Sequence, residues 1–192
     1  MSQAISTQLP KLKSGNEPFH ADGTRLEFNL LDWWRWDASD LINNTTRGRI
    51  AEFIVAMALG LDMKFIRDSW AEYDLEMPLG KKILKIEVKS KAYLQTWDQK
   101  GKVSQISFTV KKPKSASKRV ADVYVLALLD ERDREKLDPL NVNQWKFWAI
   151  PTKKLDDRKR SQHSIGLNSL KNEFGEAVSF KELYKAVVDN LK

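Results

Sequence analysis

The sequence predicts a mixed α/β fold in one domain, and three patterns carry this prediction. Apolar residues recur at helical spacing over 50–61, residues 70–77 and 83–93 alternate between apolar and polar side chains, and residues 120–129 are almost continuously apolar. The last pattern is typical of a central strand covered on both faces. With 42% hydrophobic residues in a chain of 192, a substantial core is expected and global disorder is excluded.

The N-terminal region is expected to precede this domain as an arm. Residues 1–24 mix proline, glycine and polar residues without periodicity, which predicts a loosely ordered segment before a single domain over 25–192. A first helix is expected to begin at Asn29, a good capping residue, and to end near residues 43–44. Helical spacing favours core and subunit packing over base stacking for its three tryptophans, Trp33, Trp34 and Trp36.

A second helix is expected after the cap-forming residues 43–46 and should extend to about Gly60. It is apolar on nearly all sides, so it is predicted to be buried. Between residues 50 and 61 its charged residue is Glu52. A buried carboxylate must be partnered or neutralised, because an unpaired buried charge is very costly.

The remaining elements complete a core at about 44–150 and a C-terminal helix at 179–191. Shorter or later strands are expected at 106–110, 120–129 and 144–150, the last of them stopped by Pro151. Ser179 and Glu182 have capping-box spacing, which predicts the start of the final helix.

A predicted β-hairpin over residues 72–89 contains most of the candidate catalytic residues. Gly80 and Lys81 fit a two-residue type II′ turn, and opposed residue numbers then sum to 161, which pairs Asp74 with Glu87. Like charges placed opposite each other destabilise a hairpin unless a cation lies between them, and Mg²⁺ prefers carboxylate oxygens. Lys89 lies on the same face as Glu87. A solvated strand face with alternating charges is the alternative, and the coincidence with Glu52 favours a site.

The net charge of +7 is concentrated near this hairpin. Residues 81–119 contain 12 of the 33 basic residues and only two of the 26 acidic ones, so this segment carries +10 and the rest of the chain −3. Such clustering is typical of a phosphate-binding surface. The candidate nucleic-acid contacts are Arg47, Lys91, Lys111, Lys112, Lys114, Lys118 and Arg119.

Other classes of function find no support in the sequence. The absence of cysteine excludes a disulfide framework, a thiolate zinc site and a cysteine nucleophile. No P-loop is present, so no nucleotide cofactor is expected. No signal peptide and no apolar run of ~20 residues occurs, so a cytoplasmic protein without a membrane partner is expected.

Glu52 on a helix, followed by Asp74 and then by Glu87-Val88-Lys89, resembles the PD-(D/E)XK nuclease superfamily over residues 44–129. The resemblance implies the restriction-endonuclease-like fold, an αβββαβ core whose mixed central sheet is flanked by helices. Two departures stand out: Tyr73 occupies the usual proline position, and the helix expected between the third and fourth core strands is not evident in the sequence.

The same resemblance implies roles for individual residues. Asp74 and Glu87 would bind Mg²⁺, for which Mn²⁺ would substitute, and the backbone carbonyl of Val88 would be a further ligand. Glu52 would take part in the metal site or position its waters. Lys89 would orient or deprotonate the attacking water. Arg47 and the glycine after it resemble the Holliday-junction-resolvase and Mrr-like branches of the superfamily.

The expected function is therefore a Mg²⁺-dependent DNA endonuclease. A type II restriction enzyme, a phage or mobile-element nuclease and a structure-specific resolvase of the Holliday-junction type all remain open. Cutting both strands needs two active sites, which predicts a homodimer. The rival hypothesis is a DNA-binding or assembly subunit that keeps the fold without the chemistry.

Overall fold

A computed structural model describes residues 11–64, 66–97, 99–112, 118–158 and 163–190. The chain forms two compact units, one of Met1–Ser39 with Asp62–Asp68 and the other of Asp40–Leu61 with Ser69–Lys192. Residues 25–39 thus group with the first unit and not with the rest of the predicted 25–192 domain. Lys114 lies outside the described residues.

The first unit contains a hairpin where the sequence predicted loose order. Strand β1 (Pro18–Ala21) pairs antiparallel with β2 (Thr24–Asn29) around a turn at Asp22 and Gly23. Both turn residues have positive φ, +49° and +76°, as a type I′ turn requires. The expectation of a loosely ordered arm through residue 24 is therefore wrong for residues 18–24.

Helix α1 (Leu30–Ala38) begins where the sequence predicted and ends earlier. Asn29 caps it with a reciprocal capping box, in which Asn29 accepts from the Asp32 amide and Asp32 accepts from the Asn29 amide. Asp40 accepts from the amides of Ile42 and Asn43 in a following turn, which ends the helix before the predicted residues 43–44. No residue of α1 is buried, so its tryptophans do not form a core.

The second unit is built on a four-stranded mixed sheet. Its strands lie in the order β3, β4, β6, β7, with β4 and β6 parallel and the outer pairs antiparallel. A separate antiparallel pair is formed by β5 and β8. The strands are β3 (Leu75–Leu79), β4 (Lys82–Ala92), β5 (Ser107–Thr109), β6 (Val123–Leu129), β7 (Trp145–Pro151) and β8 (Ser164–Gly166).

Helices and the small β5–β8 pair cover the two faces of this sheet. All seven residues of β6 are buried, which confirms the predicted central strand. Its odd-numbered residues face a core that includes α2 (Asn44–Ala58) and α5 (Leu183–Asp189). Its even-numbered residues face a second core that includes β5, β8, α3 (Thr152–Asp156) and α4 (Leu167–Phe174). The predicted mixed α/β class, with a mixed central sheet flanked by helices, is confirmed.

Two details of the predicted helices need correction. Helix α2 packs through Ala51, Ile54 and Val55, whereas Phe53 and Met57 on its other side are about half exposed, so burial on all sides is wrong. The Ser179–Glu182 capping box is confirmed, although the chain first forms a short 3₁₀ turn before α5 begins.

The connection between the parallel strands β4 and β6 also differs from the implied αβββαβ order. Its described residues, 93–97, 99–112 and 118–122, contain loop structure and β5 but no helix. The segment is rich in lysine and has no apolar repeat at helical spacing, so it offers no helix face to bury. Among the described residues, no helix is both long and apolar enough to cross a membrane.

Candidate active site

Strand β4 positions the central residues of the candidate site. Four of its even-numbered side chains, Leu84, Ile86, Val88 and Ala92, are buried in the core beneath α2. Because side chains alternate along a strand, Glu87, Lys89 and Lys91 project from the opposite face and are only partly buried. The site therefore lies on the β4 face that borders the second core.

The hairpin register predicted from the sequence is confirmed within the strands. Gly80 has φ +61°, as the first position of a type II′ turn requires, and Leu79 pairs with Lys82. The ladder ends at Leu75 and Ile86.

Asp74 lies just outside that ladder, so its predicted direct pairing with Glu87 is wrong. Its amide donates to the carbonyl of Ile86 at 3.0 Å, and its Oδ2 accepts from the amide of Val88 at 2.8 Å. The side chain thus satisfies a backbone donor that β3 no longer reaches. This bond fixes the carboxylate of Asp74 at the edge of β4, beside the residue after Glu87.

Glu87 is the electrostatic centre of the site. Its side chain is 18% exposed and forms an ion pair with the ammonium of Lys89. Burial raises the pKa of Glu87, the Lys89 charge opposes that rise, and the negative charges of Asp74 and Glu52 add to it. Glu87 is thus influenced by the charges of the other three predicted catalytic side chains, and among these Glu52, on α2, has the smallest effect.

The donor set fits a hard cation. Three carboxylates against one lysine leave an excess of negative charge, and oxygen donors are the ligands that Mg²⁺ prefers. Within the described residues, no three Asp, Glu, His or Cys side chains lie close enough together to hold a metal by themselves. Mg²⁺ typically uses one or two carboxylates and takes its other ligands from water and substrate phosphate, so a pair such as Asp74 and Glu87 suffices.

Tyr124 is a neighbour of this cluster that the sequence reasoning missed. It lies opposite Glu87 in the parallel register of β4 and β6 and is buried. Burial and the negative charge of Glu87 raise the pKa of Tyr124 to about 12, while the nearby Arg119 opposes the rise. The hydroxyl is therefore neutral at physiological pH. The apolar run 120–129 concealed it, because a tyrosine there fits an ordinary core strand.

The predicted basic contacts fall into two groups. Lys91 is partly exposed, Lys111 and Lys118 are exposed, and Lys112 lies 3.6 Å from Asp156. Arg119 is buried, donates to the carbonyl of Val110 and pairs with Asp156.

Arg47 is also buried, at 3% exposure. Its guanidinium donates to the carbonyl of Ile42 and to the side chain of Asn44, and burial lowers its pKa. Both buried arginines hold protein groups, so we omit them from the proposed DNA-contact set.

Replacing Arg119 with alanine should destabilise the fold, because it leaves the Val110 carbonyl and Asp156 without their buried donor. We expect a loss of roughly 3 kcal/mol in unfolding free energy, measured by urea denaturation. Lys111→Ala, at an exposed neighbour, should leave stability within about 0.5 kcal/mol and weaken DNA binding instead. Equal stability of the two variants would contradict the structural role of Arg119.

Comparison with known proteins identifies the family. The model of the bacteriophage T4 endonuclease IV family matches residues 25–169. No curated protein and no solved structure matches the chain. The matched region covers well over half of the sequence and includes Glu52, Asp74, Glu87 and Lys89. The chain belongs to the bacteriophage T4 endonuclease IV family.

Proposed function

We propose that the protein is a Mg²⁺-dependent DNA endonuclease whose site is of the PD-(D/E)XK type. Membership in a family of endonucleases supports phosphodiester hydrolysis of DNA. The observation that carries the proposal is the charge cluster around the partly buried Glu87 of β4, which pairs with Lys89 and is influenced by the charges of Asp74 and Glu52. An acid on the preceding helix and a Glu-x-Lys strand beside a displaced Asp match the order that the superfamily uses.

The residues would divide the work as follows. Mg²⁺ held by Asp74, Glu87 and the carbonyl of Val88 would polarise the scissile phosphate and make water a better nucleophile. Lys89 would orient or deprotonate the attacking water and balance charge on the phosphate. Glu52 would position water at the rim of the site. In-line attack of water on the phosphorus would break its bond to the 3′ oxygen. The products would be a 5′-phosphate and a 3′-hydroxyl, as is usual for enzymes of the superfamily.

A basic surface beside the site supports DNA as the substrate. Lys91 follows Lys89 on the same strand face, and Lys111 and Lys118 are exposed on the segment that flanks β5 and β6. Each phosphate contact releases condensed counterions, so binding should weaken steeply as salt rises. The family match favours a phage or mobile-element nuclease over a restriction enzyme. A homodimer stays a prediction.

The test is cleavage of defined substrates. Purified protein is incubated with supercoiled, linear double-stranded and single-stranded DNA, a four-way junction and RNA, in Mg²⁺, Mn²⁺ or EDTA. We expect DNA cleavage with either metal, none with EDTA, and 5′-phosphate product ends. Gel shifts without cleavage in any metal would instead support the non-catalytic binding subunit. Cleavage confined to the junction would support a resolvase.

A further inference from the structure

The loop that follows β4 is closed on itself and held by hydrogen bonds. The amide of Ser104 donates to the carbonyl of Tyr93 at 2.8 Å, and the amide of Lys102 donates to the carbonyl of Gln99 at 3.0 Å. The side chain of Gln99 also donates to the carbonyl of Tyr93, at 3.0 Å. A loop whose ends meet and whose own side chains fill it is an Ω-loop.

Gln95 holds the first half of this loop from inside. It is 6% exposed, and its amide nitrogen donates to the carbonyl of Ala92 and the hydroxyl of Ser104. The Gln95 carbonyl accepts from Arg134 at 2.9 Å. The Gln95 side chain also accepts a long bond from Arg47, at 3.5 Å. The backbone that presents the next residues is therefore bonded on several sides.

An aromatic side chain projects from this held loop. Trp97 is 57% exposed, two residues after the buried Gln95. Its neighbour Thr96 donates to the carboxylate of Asp40 at 2.9 Å, which anchors the backbone beside the indole. Lys100 and Lys102 are exposed on the same loop. An exposed indole and two exposed lysines on one loop combine the two elements that bind unpaired nucleic acid, a stacking surface and phosphate-attracting charge.

In the sequence, the loop directly follows β4, the strand that contains Glu87 and Lys89. Tyr93, where the loop begins, is the fourth residue after Lys89, a distance of roughly 13 Å at the usual rise of an extended strand. A nucleic-acid strand with its scissile phosphate at Lys89 would pass Lys91 and reach the loop within a few nucleotides. Because the described loop residues are held by these hydrogen bonds, stacking on the indole would cost little conformational entropy.

We propose that Trp97 is a base-stacking residue whose indole holds an unstacked nucleobase a few nucleotides from the scissile phosphate. Lys100 and Lys102 contact the adjoining backbone. The inference rests on the proposed function, since it assumes that nucleic acid lies along β4. The base has two possible sources, a single strand or a nucleotide displaced from a duplex, and the chemistry of recognition is the same for both.

The test measures binding by fluorescence anisotropy with Lys89→Ala protein, so that the DNA stays intact. The probes are a single-stranded oligonucleotide, its fully paired duplex, and a duplex containing one unpaired base. Trp97→Ala should weaken binding of the single strand, the unpaired-base duplex or both by about 5- to 150-fold. Trp97→Phe should restore most of this loss. The probe that shows the loss identifies the source of the base.

Tyr184→Ala is the matched control, because this tyrosine is a half-exposed aromatic on α5, which packs on the other face of the sheet. It should leave all three affinities unchanged. Unchanged affinities for Trp97→Ala would overturn the inference, as would an equal loss on all three probes or no rescue by phenylalanine. If the protein without any substitution neither binds nor cleaves DNA, both the proposed function and the stacking role of Trp97 are wrong. Cleavage that depends on Lys89 but not on Trp97 overturns only the stacking role.

Discussion

Lys89→Ala is expected to slow DNA cleavage by about 10²- to 10³-fold or more, because its ammonium is the positive group bonded to the charge cluster. The loss should appear in the single-turnover rate at saturating enzyme, where binding no longer limits the reaction. DNA affinity should change by only about threefold, since one phosphate contact among several is removed. Raising the Mg²⁺ concentration should not restore the rate.

Lys91→Ala provides the matched control for this prediction. Lys91 lies on the same strand and the same face, two residues farther along, and carries the same charge. It should lower affinity slightly and leave the saturated cleavage rate within about threefold of the parent. Equal losses for the two variants would mean that net charge, and not a specific role of Lys89, drives cleavage.

Glu87→Gln is expected to abolish cleavage and to make the fold more stable. Burial disfavours the ionised form of Glu87, and the charges of Asp74 and Glu52 add to that effect. Removing the charge relieves this cost while keeping the shape of the side chain. The thermal midpoint should therefore rise, by about 2–4 °C for each kcal/mol gained in a domain of this size. The midpoint is measured by calorimetry at neutral pH.

The pH dependence of stability follows from the same shift. The pKa of Glu87 is raised in the folded state above its ordinary 4.5, so the folded protein binds this proton more tightly than the unfolded chain. The contribution of Glu87 to the free energy of unfolding therefore falls as pH rises from about 4.5 through the raised pKa of the folded state. This contribution stays low at neutral pH. Glu87→Gln should remove this fall.

Metal binding gives a readout that does not depend on cleavage. Mg²⁺ should raise the thermal midpoint of the parent protein, because a ligand bound only by the folded state stabilises it. The same addition should have little effect on Glu87→Gln. Glu76→Gln is the control, since Glu76 is an exposed acid of the same hairpin that pairs with Lys85. A Mg²⁺ response retained by Glu87→Gln would contradict the proposed ligand role.

The features that the sequence predicted correctly are local in origin. The turn at Gly80 and Lys81 sets the hairpin register through backbone geometry alone, and the apolar run 120–129 can be buried only as a covered strand. The dipeptide Asp22-Gly23 also predicts a hairpin, since Asp-Gly is a common type I′ turn. Phe19 and Ala21 before the turn, and Leu26 and Phe28 after it, alternate with polar residues, so the sequence carries a short hairpin pattern here.

The features that escaped prediction depend on distant partners. A sequence shows that Arg119 is charged but not that Asp156, 37 residues away, and the carbonyl of Val110 will hold it in the interior. Tyr124 became part of the site only through its register opposite Glu87 on a strand that is distant in sequence. The displacement of Asp74 from the ladder depends on where pairing stops, which no propensity specifies.

The bond from the Val88 amide to Asp74 makes turn length a determinant of chemistry. The two-residue turn sets the register that ends the ladder at Leu75 and leaves Asp74 where its carboxylate accepts from the Val88 amide, next to Glu87. One inserted residue would shift the register and direct alternate side chains to the other face, which would move the acid away from its partner on β4. Homologues that keep this site should therefore keep the two-residue length of the turn and the glycine at its first position, while its second position varies.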